Sequence, residues 1–236
     1  MRMKARQAAI ICGGLGTRLR PLTFDIPKPM VPVHSKPFLQ YIVEHFRDWG
    51  VERFVFCTGH LHDNIEAHFG DGTGFDVGIV HSVEPEPLGT GGALLNARHL
   101  LDGSFFLAYG DSYLPLDLDD LSECFEKNNA EGAITVYENT DSIAPNNVRL
   151  AKDGRVLDYV KKNPPASMNC LEAGLSLFDR NILDLAPGRK FSLEEAILPQ
   201  LINRGRLFGF LTPRRFYDIG TPDGLERAKR ELNDAD

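Results

Sequence analysis

The sequence predicts an α/β fold: a three-layer α/β/α sandwich built on a mixed, mostly parallel sheet. Two observations predict this architecture. From residue 7 to about residue 138, short apolar segments alternate with longer segments whose apolar residues recur at helical spacing. Strands that alternate with helices pair in parallel and are covered on both faces. Past residue 140 a hairpin pattern replaces the alternation, so further strands should extend the sheet.

The elements of the first half follow in order from apolar periodicity and from residues that begin or end helices. Gly50 and Gly70 each close a helical pattern, a position that glycine favours. The acidic run from Asp117 to Asp120 is typical of a helix N-terminus. We therefore expect strands at 7–12, 53–59, 76–82, 104–111 and 132–138, and helices at 36–50, 61–70, 90–101 and 117–130.

The second half begins with a hairpin over residues 148–160 that turns through Asp153 and Gly154. A helix over 191–205 opens with a capping box at Ser192 and Glu195. Strands are expected at 171–178, 206–211 and 216–220, and a last helix, with proline at its front, at 222–232. No linker composition separates the halves, so we expect one domain over residues 1–236.

Composition excludes several classes of function. Hydrophobic residues make up 42% and charged residues 25%, and the net charge of −7 argues against nucleic acid as a partner. The four cysteines form no C-x-x-C pair, which indicates reduced thiols rather than a disulfide frame or zinc site. No apolar run approaches a membrane span or a signal peptide, so we expect a cytoplasmic protein without a membrane partner.

Three glycines, Gly13, Gly14 and Gly16, follow the first strand. In an open α/β sheet, ligands bind beyond the carboxyl ends of the strands. Glycines there let backbone N–H groups approach a phosphate and form an anion-binding concavity. The spacing fits neither the dinucleotide fingerprint G-x-G-x-x-G nor the Walker pattern, which argues against a dinucleotide oxidoreductase. Taken alone, the glycines leave open a simple strand-to-helix turn.

The segment that follows is rich in cations and prolines. Pro27 and Pro29 flank Lys28 and restrict the backbone on both sides of it. An arginine can donate two hydrogen bonds to one phosphate, and a lysine offers a compact charge. The segment therefore predicts a bound nucleoside triphosphate with Arg18 and Lys28 at the reacting phosphates. Four cations fall within residues 18–36: Arg18, Arg20, Lys28 and Lys36.

These motifs resemble the sugar-1-phosphate nucleotidylyltransferases. The resemblance rests on G-G-x-G-T-R-x-x-P-x-T and P-K-P-x-x-P-V, followed by "PLGTGGAL" (87–94), "GD" (110–111) and "FYDIGTP" (216–222), and it covers essentially the whole chain. It implies a Rossmann-like fold and the joining of a sugar 1-phosphate to an NTP, giving NDP-sugar and pyrophosphate. It also implies a nucleotide-binding part at about 1–138 and a sugar-phosphate-binding part at about 139–236.

The chemistry of this reaction agrees with the residues present. A phosphate monoester has its second pKa near ~6, so it is largely dianionic at neutral pH and needs no general base. The sequence shows no convincing Ser-His-Asp or Cys-His arrangement. Catalysis then depends on gathering polyanions and stabilising charge in the transition state. By resemblance Arg18 and Lys28 are catalytic, and the nucleotide-binding residues are Gly13, Gly14, Gly16, Thr17, Glu84, Gly89 and Thr90.

The resemblance further implies Mg²⁺ held by Asp111 and Asp218. Magnesium prefers oxygen ligands, often one or two carboxylates together with substrate phosphates. Asp111 closes an apolar strand and Asp218 lies in a short one. For Asp111 alone a helix cap or turn acid is the competing interpretation, and Gly110 before it favours the site.

The expected sugar-phosphate pocket departs from the family pattern. Where the family often reads E-K-P, this chain reads Lys161-Lys162-Asn163, and a usual N-A-G is Glu172-Ala173-Gly174. By resemblance Lys162 takes the sugar phosphate, and Glu172, Gly174 and Asn147 are expected beside it. Both departures leave the identity of the sugar open.

The base is predicted from Glu84. A carboxylate can accept both N1–H and N2–H₂ of guanine, whereas uracil and thymine suit an amide better. This favours GTP, although Glu84 as a cap of the next turn is the alternative. The resemblance implies a heptose or mannose 1-phosphate as acceptor. The competing functions are a UTP- or dTTP-dependent enzyme of the N-acetylmuramate or glucose type and a non-catalytic nucleotide-binding regulator. A homo-oligomer is compatible with the sequence.

Overall fold

The computed structural model describes residues 5–14 and 16–232. Seven helices and thirteen strands lie within them. The strands are β1 (Gln7–Ile11), β2 (Pro32–Val33), β3 (Lys36–Pro37), β4 (Arg53–Thr58), β5 (Gly78–Val83), β6 (Ser104–Tyr109), β7 (Ser112–Tyr113), β8 (Gly132–Tyr137), β9 (Val148–Leu150), β10 (Val156–Tyr159), β11 (Leu171–Asp179), β12 (Leu207–Thr212) and β13 (Tyr217–Asp218). The helices are α1 (Phe38–Asp48), α2 (His62–Phe69), α3 (Gly89–Asn96), α4 (Leu118–Lys127), α5 (Leu193–Ala196), α6 (Leu198–Asn203) and α7 (Pro222–Glu231).

A seven-stranded sheet has the strand order β12-β8-β11-β6-β1-β4-β5. The pairs β1–β4, β1–β6, β4–β5 and β8–β12 are parallel. β11 runs antiparallel to both neighbours, β6 and β8, so the sheet is mixed. The predicted α/β fold class, with a mostly parallel mixed sheet, is confirmed.

Successive residues of the central strands face opposite layers, as the pleat requires. Ala8 and Ile10 of β1 belong to a buried cluster that also holds the apolar faces of α1, α2, α4 and α7. Ala9 of β1 and Val55 of β4 belong to a second cluster with α3, α5 and α6. Helices therefore cover both faces of the sheet, which gives the three layers. No helix in the described ranges is both apolar enough and long enough to cross a membrane.

Three smaller differences from the predicted elements have local causes. The helix predicted over 191–205 is divided into α5 and α6 before Pro199, which has no N–H to donate to the preceding turn. Helix α1 begins only at Phe38, because Lys36 pairs with Val33 across the β2–β3 turn. The helix predicted over 90–101 ends at Asn96 and continues as a 3-10 turn at Arg98–Leu100.

Short strand pairs fix the parts of the chain that carry charged residues. β13 pairs with β7, which sets Asp218 opposite Ser112, next to Asp111. β9 and β10 form the predicted hairpin, with Gly154 at a φ of 86° in its turn. Ser192 Oγ accepts from the backbone N–H of Glu195, as the capping box predicts.

Candidate active site

The glycine loop after β1 lines a cavity of about 220 Å³. Gly14 and Gly16 have φ angles of 128° and 58°, conformations that residues with a side chain rarely adopt. Thr23 is buried and its hydroxyl donates to the Gly16 carbonyl at 2.8 Å, which holds the glycine loop against the protein interior. The predicted residues Gly13, Gly14, Gly16, Thr17, Arg18, Lys28 and Asp111 all line this cavity.

Lys28 and Asp111 form an ion pair on the wall of the cavity. The Lys28 ammonium donates to Asp111 Oδ2 at 2.5 Å, and the two side chains are 16% and 29% exposed. Lys28 begins a 3-10 turn that Pro27 precedes, as the stiff proline-flanked segment predicts. Pro29 packs so closely on Gly110 that a Cβ there would lie 2.9 Å from Pro29 Cγ. The strand that ends in Asp111 and the basic segment are thus in direct contact.

Asp218 and Arg18 lie at the same place. The backbone N–H of Ile219 donates to the Asp111 carbonyl at 3.0 Å, and that of Gly220 donates to Asp218 Oδ1 at 2.5 Å. A Cβ built on Gly220 would lie 2.6 Å from Asp218 Oδ1 and 2.9 Å from Arg18 Nη2. Two carboxylates and two cations, drawn from four separate segments of sequence, therefore share one site.

The charges of this cluster suit a divalent cation. Partial burial of the carboxyl and the nearby Asp111 charge raise the pKa of Asp218, although Lys28 and Arg18 partly oppose them. Two carboxylates that repel each other in this way are oxygen ligands of the kind that Mg²⁺ takes. The donor set of Asp111 and Asp218 therefore fits the magnesium that the sequence implies.

Glu84 lines a second cavity, of about 760 Å³, that shares Gly14, Gly16 and Thr17 with the first. Its Oε2 accepts from the backbone N–H of Leu88 at 3.0 Å, so the turn cap that sequence reasoning left open is present. A Cβ built on Gly13 would lie 2.8 Å from Glu84 Oε1, so Glu84 packs against the glycine loop. Glu84 thus connects the glycine loop to the larger cavity, and contact with a base stays a prediction.

The segment "PLGTGGAL" has a packing role that the sequence did not reveal. The N–H groups of Gly91 and Gly92 both donate to the carbonyl of Phe191 at 3.1 Å. A Cβ on Gly92 would lie 2.5 Å from the carbonyl oxygen of Arg189, so glycine permits this close approach. Gly89 and Thr90, at the start of α3, line neither cavity within the described part of the chain. Their contact with nucleotide stays a prediction.

Asn147, Glu172 and Gly174 are joined by hydrogen bonds, and their contact with a sugar phosphate stays a prediction. Asn147 Oδ1 accepts the backbone N–H of Glu172 at 2.8 Å, and Glu172 Oε1 accepts that of Gly174 at 2.7 Å. Burial raises the pKa of Glu172 from its ordinary value of 4.5 to about 7. The Gly174 N–H and Lys161 oppose this rise, whereas the charges of Glu194 and Asp218 add to it. Glu172 therefore lies close enough to the carboxylate of Asp218 for the two charges to interact.

Lys162 lies away from this group. Its side chain is 80% exposed and its ammonium pairs with Glu195 at 3.1 Å, so its contact with a sugar phosphate stays a prediction. The neighbouring Lys161 instead pairs with buried Glu194 at 2.7 Å.

Sequence reasoning missed Glu194, Tyr109 and Thr23. Glu194 lies between Ser192 and Glu195 of the capping box, so the sequence indicated only the start of a helix there and not a buried carboxylate. Tyr109 comes just before Gly110 and Asp111, a position that indicates a side chain near the carboxylates of Asp111 and Asp218. Thr23 closes the first motif, and its spacing from Gly16 was the available signal.

The chain is similar to known proteins over most of its length. Residues 7–235 match the family model described as nucleotidyl transferase. The mannose-1-phosphate guanylyltransferase of Mycobacterium tuberculosis is 32% identical over 95% of this chain, which spans 64% of that relative's length. The D-glycero-alpha-D-manno-heptose 1-phosphate guanylyltransferase of Aneurinibacillus thermoaerophilus is 31% identical over 96% of this chain and 98% of its own.

Solved structures extend the comparison. HddC from Yersinia pseudotuberculosis, in a crystal structure described as complexed with GMP-PN, superposes with a TM-score of 0.83 at 30% identity. That match covers 96% of this chain and 99% of the other. A putative glucose-1-phosphate thymidylyltransferase from Bacillus anthracis shares the fold, with a TM-score of 0.83, 22% identity, and 96% of each chain covered.

Proposed function

The chain belongs to the nucleotidyl transferase family, and we propose that it is a sugar-1-phosphate guanylyltransferase. It transfers GMP from GTP to a heptose or mannose 1-phosphate, giving a GDP-sugar and pyrophosphate. Similarity over nearly the full length of a heptose 1-phosphate guanylyltransferase supports the base and the sugar type. The observation that carries the proposal is the convergence of Arg18 and Lys28 with Asp111 and Asp218 around the glycine loop.

The reaction forms one P–O bond and breaks another. An oxygen of the sugar phosphate attacks the α-phosphorus of GTP, and pyrophosphate leaves with the bonding electron pair. Arg18 and the N–H groups of the glycine loop hold the triphosphate, while Lys28 neutralises charge on the α-phosphate and on the attacking phosphate. Asp111 and Asp218 would hold Mg²⁺, which would supply further positive charge to the phosphates.

The substrates divide between the two halves of the proposed single domain, residues 1–236. The nucleotide binds to the first part, residues 1–138, where Gly13, Gly14, Gly16 and Thr17 contact the phosphates. The base enters the larger cavity beside Glu84, and Gly89 and Thr90, at the start of α3, complete the proposed nucleotide-binding set. The sugar phosphate binds against the second part, 139–236, where Asn147, Glu172 and Gly174 lie together.

A substrate panel tests this function. The purified protein is mixed with Mg²⁺, one of GTP, UTP, dTTP or ATP, and one of four 1-phosphates: mannose, D-glycero-D-manno-heptose, N-acetylmuramate or glucose. Pyrophosphate release is the readout. We expect the highest kcat/KM with GTP and a mannose or heptose acceptor, complete loss with EDTA, and recovery on adding excess Mg²⁺. A preference for UTP or dTTP contradicts the guanylyl assignment, and no release with any pair indicates a non-catalytic nucleotide-binding protein.

A further inference from the structure

Glu194 is a buried carboxylate that the proposed reaction does not yet use. Its side chain is 3% exposed. Oε1 accepts from the Tyr109 hydroxyl at 2.9 Å and from the Lys161 ammonium at 2.7 Å. Oε2 accepts from the Thr90 hydroxyl at 2.5 Å and from the Ser192 hydroxyl at 2.6 Å. Four donors on two oxygens leave the carboxylate one orientation.

The four donors come from distant parts of the chain. Thr90 lies in the first turn of α3, Tyr109 ends β6, Lys161 follows β10, and Ser192 caps α5. Burial by itself would raise the pKa of Glu194, but the Lys161 ammonium and the hydroxyl donors outweigh it and lower the pKa to about 2. The carboxylate is therefore ionised at neutral pH, and Lys161 is the cation it fixes.

A buried ion pair of this kind is poor evidence for a role in stability. Removing two charges from water costs several kcal/mol per ion, and an apolar pair of similar volume often serves the fold as well. The pair is also unequal, because Lys161 is 48% exposed whereas Glu194 is 3% exposed. An ammonium has three N–H donors and Glu194 takes one, so the accessible end of Lys161 keeps donors for an anion.

The Lys161 ammonium lies near the Glu172–Gly174 segment, which the proposed function assigns to the sugar phosphate, because its charge opposes the rise in the pKa of Glu172. Tyr109, which shares Glu194 Oε1 with Lys161, stands two residues before Asp111. A Cβ on Gly174 would lie 3.9 Å from Tyr109 Cδ2 and 2.9 Å from Ser112 Cβ, so the Glu194 group adjoins the Glu172–Gly174 segment. Lys162, in contrast, pairs with Glu195 on the surface.

We propose that Glu194 is a positioning residue that fixes the Lys161 ammonium, and that Lys161 rather than Lys162 binds the phosphate of the sugar 1-phosphate. This inference rests on the proposed function and names the acceptor-binding lysine within it. None of the hydrogen bonds of Glu194 goes to Arg18 or Lys28, the proposed triphosphate-binding cations, so loss of its charge should affect the sugar 1-phosphate far more than GTP.

Glu194→Gln is compared with its matched control Glu195→Gln, which releases Lys162 instead. We expect Glu194→Gln to raise KM for mannose 1-phosphate about 10- to 100-fold, the loss typical of a charge-assisted hydrogen bond, with KM for GTP changed by less than about threefold. Glu195→Gln should leave both values unchanged. An equal rise in the two KM values after Glu194→Gln overturns the positioning role.

Lys161→Met and Lys162→Met decide the assignment even where Glu194→Gln fails to fold. Lys161→Met should reproduce the selective rise in KM, and the double variant with Glu194→Gln should be no worse than Lys161→Met alone. A selective rise with Lys162→Met instead overturns the inference. If the wild-type protein turns over no sugar 1-phosphate, the proposed function fails, and calorimetric binding of mannose 1-phosphate to the same variants replaces KM. Equal Kd values for the two lysine variants then overturn the Lys161 assignment.

Discussion

The Lys28 ammonium donates to the Asp111 carboxylate across 2.5 Å, although 83 positions separate the two residues in the chain. The ammonium of Lys28 and the carboxylate of Asp111 balance each other's charge in this ion pair. In the proposed function, an incoming triphosphate would offer Lys28 a second anion, and the Mg²⁺ bound with it would offer Asp111 a cation. The pair thus holds both side chains in place before substrate arrives, which is the preorganisation that electrostatic catalysis requires.

The first prediction concerns Lys28. Lys28→Ala should lower kcat for pyrophosphate release by about 10²–10³, because it removes a charge placed where negative charge develops. Lys28→Arg should not restore the rate, since a planar guanidinium cannot occupy the site of a compact ammonium. Lys152→Ala, an exposed lysine in the hairpin turn, is the control and should behave as wild type. Full activity of Lys28→Ala would show that the reacting phosphates bind elsewhere.

The order of elements could be predicted because it follows from local apolar patterns, whereas Asp111 and Asp218 were assigned to the site by resemblance to a known family. Gly13, Lys28 and Asp111 each stand just after or between elements with clear apolar patterns, and parallel strands bring their carboxyl ends to one edge. The placement of β11 between β6 and β8 could not be predicted, because strand order and direction depend on long-range pairing. No pattern within residues 171–179 specifies which neighbours that strand takes.

The polar interior of the second half was also beyond sequence reasoning. Lys161 and Lys162 are chemically alike and adjacent, yet one pairs with a buried carboxylate and the other with an exposed one. Which of them faces inward depends on where Glu194 lies, about thirty residues later in the chain. The segment "PLGTGGAL" entered the sequence analysis only as part of the family resemblance, whereas Gly91 and Gly92 within it make a close backbone contact with Phe191.

The second prediction concerns base selection. Glu84→Gln keeps an oxygen for the Leu88 N–H but loses one acceptor for the two guanine donors. We expect kcat/KM for GTP to fall about 10- to 100-fold, with that for UTP unchanged or higher. Glu86→Gln, which changes an exposed carboxylate of the same cavity, should leave the GTP-to-UTP ratio as it is. An unaltered ratio in Glu84→Gln assigns Glu84 to the turn cap alone.

The third prediction concerns the pH dependence of stability in the absence of divalent ions. The pKa of Glu172 is raised from 4.5 in the unfolded chain to about 7 in the folded protein. The folded state therefore holds a proton that the unfolded state releases, so the free energy of unfolding falls as pH rises from 4.5 through 7. Glu172→Gln removes this titration, and the decrease between pH 5 and pH 8 should be smaller, by at most about 3 kcal/mol.

Urea unfolding at the two pH values measures this difference. Glu123→Gln changes an exposed carboxylate on α4 and should retain the wild-type pH dependence. A Glu172→Gln profile parallel to that of wild type would mean that Glu172 ionises with an ordinary pKa in the folded protein.

The fourth prediction concerns Gly174, where β11 crosses close to the strand that follows Asp111. Gly174 has a φ of 80°, and a Cβ there would lie 2.9 Å from Ser112 Cβ. Gly174→Ala should therefore cost about 1–3 kcal/mol in backbone strain and crowding. It should also lower kcat, because Ser112 follows Asp111 directly in the chain and a shift of its backbone would displace Asp111. Gly103→Ala is the control, since nothing lies within 4 Å of a Cβ at that position and its φ is not positive. Urea unfolding and pyrophosphate release are measured on both variants. A loss of stability in Gly174→Ala without a loss of kcat would show that the backbone near Ser112 shifts while Asp111 stays in place.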